Sequence, residues 1–180
     1  MYYVRKIDWE KWNQNEPLDM KPLSDVFEDN GEVSVWMDDD SPNKYVDLIL
    51  ALMLSGSKLT DAYCVRISDA IVEKKKIEFK QEDSSTPYED MRPLHTNMLT
   101  TDLYELGDVA EAVSGAIKEG QYKYIPVQTL KERFYDLLKA DKIEINLREK
   151  SKGKWNAIYW EVAKIKGKID FTGHKKSLLE

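Results

Sequence analysis

The chain has 180 residues, 42% of them hydrophobic and 33% charged, with five Trp and a net charge of −6. That length and apolar content suit one folded domain with a real core and exclude a disordered chain. The one cysteine, Cys64, rules out an internal disulfide and a cysteine-built zinc site, so a cytosolic protein is expected.

The opening MYYVRKIDWEKW has no apolar core of signal-peptide length, and secretion is not expected. Tyr2–Ile7 alternates weakly and predicts an edge strand. Trp9 and Trp12 have the spacing that puts both rings on one side of a helical turn, where they cover the core. Leu23–Phe27 is a short turn or helix, closed by Asp29-Asn30-Gly31.

Gly31 to Asp69 organises the chain as strand, helix, strand. Val33–Met37 is β-branched and aromatic. Ser41 is expected to cap a helix with Pro42 at its first position. Tyr45 to Leu54 then leaves almost no polar face, which places that helix inside the domain. It is shorter than the roughly 20 apolar residues that cross a bilayer, so no membrane partner is expected. Ala62–Ser68 is the second strand.

Ile71 and Val72 extend a strand or start a helix, and Ile77 with Phe79 predicts a half-exposed strand. Asp83–Arg92 is a polar loop and Pro93–Leu99 a short strand. Leu103, Leu106, Ala110, Val113 and Ile117 mark an amphipathic helix, opened by Asp102 and Glu105 in a capping-box-like pair and ended by Gly120. Tyr122–Ile125 is a short strand. Val127–Lys139 is a second amphipathic helix. Ile143, Ile145 and Leu147, then Trp155 to Ala163, form a hairpin pattern.

The elements predict an α+β (or α/β) fold: a mixed sheet around one buried helix, two further amphipathic helices and a C-terminal β-hairpin. Residues 1–120 make the core. Residues 121–180 add a helix and a basic hairpin packed on the same core. Charge divides along the chain: residues 1–141 hold 17 Lys/Arg against 28 Asp/Glu, and residues 142–180 hold ten against five.

Arg5, Ile7, Trp9 and Trp12 fall in an Arg-x-Ile-x-Trp-x-x-Trp segment; Phe27 with Asp29 and Ser34 with Val35 follow, and Pro93 and His95 precede a helix. In this order the residues resemble a group of small uncharacterised bacterial proteins. The resemblance covers about residues 4–118 and implies a bacterial protein. It carries over no activity, and Thr96-Asn97 stand where the group has small apolar residues.

Three constellations carry possible chemistry. Asp38, Asp39 and Asp40 end one strand and Asp69 the next. If those strands share a carboxyl edge, Asp38, Asp40 and Asp69 are oxygen ligands for Mg²⁺, which would activate water against a phosphodiester. His95, with Arg92 and Asp90 nearby, is the acid–base candidate. Between 142 and 176, Lys152, Lys154, Lys164 and Lys166 interleave with Trp155, Tyr159 and Trp160, a mixture that binds nucleic acid through phosphate contacts and stacking. Each has a plainer reading: helix-capping aspartates, a hydrogen-bonded structural histidine and a solvated hairpin. Cys64 in mid-strand has no adjacent base and is not expected to be a nucleophile. No phosphate-loop, dinucleotide or GxSxG motif occurs.

No catalytic set assembles from the sequence, and the reading leans away from an enzyme. The expected function is a small cytosolic bacterial protein that binds another macromolecule, another protein first, as part of a multi-protein system. A metal-dependent phosphodiester-cleaving enzyme and a nucleic-acid-binding module built on the basic tail are the alternatives.

Overall fold

The strand at the middle of the sheet is the first one in the chain. In the computed structural model, which describes residues 1–13, 15–28, 30–55, 59–82, 84–140 and 142–143, β1 (Tyr2–Ile7) pairs antiparallel on one side with β2 (Glu32–Asp38) and on the other with β3 (Ala62–Ser68). The expected edge strand is therefore central. Its weak alternation misled: Arg5 is buried, and its guanidinium donates to the carbonyls of Ser34 (3.1 Å) and Asp25.

Outside this trio, β5 (His95–Leu99) adds to β2, and the short β4 (Phe79–Gln81) adds to β5. At the far edge β6 (Tyr122–Ile125) adds to β3. The order is β4-β5-β2-β1-β3-β6 and every pairing is antiparallel, so the fold is α+β and the sheet is not mixed. β2 and β3 do run in the same direction, but only because β1 separates them.

Helices cover both faces. On one lie α3 (Lys44–Ser55) and α6 (Val127–Lys139), packed with Val4, Trp36, Ala62 and Cys64. On the other lie α1 (Trp9–Trp12), α2 (Met20–Val26), α4 (Asp69–Lys75) and α5 (Leu103–Lys118), packed with Val33, Val35, Val65, Ile67 and Met98. This split follows the strand period of two: in β2, Val33 and Val35 face α5, while Ser34 and Trp36 face α3.

α3 is the buried helix its composition demanded: Leu48, Ile49, Leu50, Ala51 and Leu54 are fully buried. It starts later than expected. Asn43 takes a left-handed backbone (φ 61°), so Ser41-Pro42-Asn43 forms a turn, with Lys44 N–H on the Ser41 carbonyl at 3.1 Å, and Ser41 is not the cap. Ile71 and Val72 belong to the helix α4, and Pro93 and Leu94 to a 3₁₀ turn, Glu89–Leu94, ahead of β5. Asp102 caps α5 through Tyr104 and Glu105 N–H, and Glu105 reaches back to Thr101. α6 borrows its cap: Asp61 accepts from Val127 N–H at 2.7 Å. Arg133 then grips Asp47 of α3 with two hydrogen bonds, 2.6 and 2.8 Å, so residues 122–139 share the core of the earlier chain. The expected hairpin lies outside the described residues.

Candidate functional site

Alternation along two neighbouring strands builds a polar floor on the α3 face. In the β2–β5 ladder, Ser34 stands opposite Asn97 and Trp36 opposite His95. Period two then puts Glu32, Ser34 and Trp36 on the same side as His95 and Asn97. The last turn of α3 walls the space with Leu52 and Ser55, the segment after β4 adds Glu82, Ser84 and Ser85, and the turn before β2 adds Glu28 and Asn30. Together they enclose a cavity of about 530 Å³. That turn needs Gly31: its φ is +68°, and a Cβ there would stand 3.3 Å from the Thr101 backbone.

The floor is hydrogen-bonded in one direction. His95 Nδ1 lies 2.7 Å from the Glu82 backbone carbonyl, which only accepts, so Nδ1 carries the proton. In the neutral ring Nε2 is then an acceptor, and it lies 2.7 Å from Ser34 Oγ, the donor. Asn97 Nδ2 donates to the carboxylates of Glu32 (2.8 Å) and Glu82 (2.7 Å), which turns Oδ1 toward Ser34 at 3.3 Å. Trp36 meets the His95 ring edge-on at 5.0 Å, and its buried indole Nε1–H has no hydrogen-bond partner among the described residues. Glu32 is also paired with Lys80, whose ammonium holds its carboxyl below the usual carboxylate range. On the other face, Arg5 takes the Ser34 carbonyl where the β1–β2 pairing has ended.

His95 therefore sits in a polar constellation, but not with its expected neighbours. Arg92 donates to the Thr86 carbonyl (2.8 Å) and pairs with Glu89, and Asp90 pairs with Lys142 at 3.1 Å. The aspartates are engaged elsewhere. Asp38 holds Arg66 Nε at 3.0 Å, Asp40 holds the same guanidinium, and Asp69 meets the N-terminal amino group at 3.2 Å. Asp39 accepts from Ser41 N–H in the same turn. Among the described residues no group of three or more His, Cys, Asp or Glu is placed to hold a metal ion. Cys64 is fully buried, and burial pushes its thiol up to about 12, opposite to what a nucleophile requires. Lys152, Lys154, Trp155, Lys164 and Lys166 lie outside the described residues.

Ser34, Glu82 and Asn97 escaped the sequence reading. A signal existed: EVSVW and HTN both carry polar residues at alternate positions, a polar stripe on what are otherwise core strands. Their meeting depends on a strand pairing that no local pattern announces. No described helix is long and apolar enough to cross a membrane. Compared with protein-family models, curated proteins and solved structures, the chain gives no match.

Proposed function

We propose that the protein is a small cytosolic bacterial binding protein whose cleft receives a basic group, a lysine or arginine side chain, from a partner protein. One observation carries this reading. Glu28, Glu32 and Glu82 line the cavity, no Lys or Arg among the described residues lines it, and Lys80 forms its ion pair with Glu32. Half-enclosed carboxylates attract a cation more strongly than the same charges in open water. The acidic balance of residues 1–141 draws a basic partner from a distance and sets the approach. Phe27, exposed and next in sequence to Glu28, offers an apolar contact beside the charged one. The single unpaired cysteine agrees with a reducing compartment.

The test is fluorescence anisotropy with short labelled peptides, one rich in arginine and one of equal length in which each arginine is replaced by glutamine. The arginine peptide should bind, weaken with salt, and lose about tenfold or more in affinity to Glu28→Gln/Glu82→Gln, the scale of about 1.4 kcal/mol. Equal binding of both peptides, or no effect of the double variant, overturns the reading.

A further inference from the structure

We infer that Ser34 is an activated nucleophile, with His95 as its general base, and that the cleft takes the acyl group of a carboxylic ester. The inference does not depend on partner binding; it rests on the geometry of the floor. A nucleophilic serine needs a base within hydrogen-bond reach and a third group that orients the base. Ser34 Oγ and His95 Nε2 are 2.7 Å apart, and the Glu82 carbonyl holds Nδ1–H at the same distance. His95 has one tautomer and one ring direction as a result, with its free lone pair on the serine hydroxyl. Asn97 Oδ1, itself held by Glu32 and Glu82, is a second acceptor for that hydroxyl's one proton at 3.3 Å, and the shorter 2.7 Å contact gives the proton to Nε2. Both Ser34 and His95 line the cavity, so the pair is not sealed inside the sheet.

The chemistry balances within the cleft. Ser34 Oγ bonds to the ester carbonyl carbon as its proton passes to His95 Nε2. The C–O bond to the alcohol breaks, and Nε2 returns the proton to the departing alkoxide. Water then attacks the acyl-serine, giving its proton to Nε2, which passes it to Oγ as the acid leaves. The net change is ester plus water to acid plus alcohol. Nδ1–H stays on the Glu82 carbonyl throughout. A backbone carbonyl orients the ring but brings no full negative charge to the imidazolium, so this dyad is weaker than one backed by a carboxylate.

A fluorophosphonate probe, which traps activated serines irreversibly, tests this on the full chain, with the adduct mapped by mass spectrometry. The expected result is an adduct on Ser34, none in Ser34→Ala, and labelling at least about 100-fold slower in His95→Gln, the usual worth of a general base. If His95→Gln does not fold, the pH profile of wild-type labelling decides. Among the neighbouring charges Glu32, Glu82 and Lys80, an imidazole base gives a rate that rises and then reaches a plateau as the ring loses its proton. No Ser34 adduct on the folded wild type, equal rates in His95→Gln, or a rate proportional to hydroxide throughout overturns the inference.

Discussion

The two ends of β2 carry two acidic clusters with opposite fates. At its carboxyl end Asp38 and Asp40 converge on Arg66, whose guanidinium also lies 4.1 Å over the Tyr2 ring. That end is closed, with both carboxylates held by one guanidinium. At its amino end Glu28, Glu32 and Glu82 line a cavity whose floor is a hydrogen-bonded serine and histidine, and Lys80 forms its ion pair with Glu32. The run of aspartates is conspicuous in the sequence, and in space two of its three members share one cation. The amino-end glutamates are scattered through the sequence, and it is they that gather around an open cleft. Charge density along a chain is a poor guide to charge density in a fold, because the partner that cancels it comes from another strand.

Breaking the common support should give the largest effect. Leu50 is fully buried in α3, which contacts the sheet behind both clusters. Leu50→Asp leaves an unpaired charge in the core, costs several kcal/mol, and should yield no soluble folded protein; a melting curve like the parent's would refute the core assignment.

Next is the closed end. Asp38 is 1% exposed, so Arg66→Met strands a buried carboxylate and should cost about 3–5 kcal/mol. Adding Asp38→Asn should recover part of that loss, and urea titration of the single and double variants measures the recovery.

The open end should respond less. Ser34→Ala removes one hydroxyl from a water-accessible cleft and should cost about 1 kcal/mol. A loss as large as that of Arg66→Met would show that the cleft floor is structural cement and not a reactive surface.

The smallest effect belongs to the Glu32–Lys80 pair. Glu32 has its carboxyl held below the ordinary 4.5 by Lys80, so the pair stabilises the fold fully above 4.5 and loses that contribution as pH falls through the lower folded value. Lys80→Met should therefore melt slightly earlier than the parent at neutral pH, and the difference should shrink as pH falls below 4.5.

Features that depend on nearby residues were legible in the sequence. α3 declared itself because a helix with no polar face is stable only inside, and α5 because Asp102 and the apolar spacing agree. Features that depend on distant residues were not. The central place of β1 rests on ladders to residues 32–38 and 62–68, and on Arg5 finding carbonyls that Asp25 and Ser34 supply. The start of α3 turned on one left-handed residue, Asn43, which tolerates that backbone better than most and so hid the break. Half of the candidate site was visible as His95. Ser34, its partner from 61 residues away, became visible only through the strand register.

The central position of β1 also bears on how the chain is made. A ribosome releases this strand before any of its partners, and its final neighbour, β3, emerges only after β2 and α3. Until then β1 has only β2 beside it, and the edge that β3 will cover stays open. Closure across such long loops is slow and leaves strand edges open to other chains. Slower synthesis over residues 8–61 lengthens the exposure of β1, and a chaperone that shields its first seven residues shortens it.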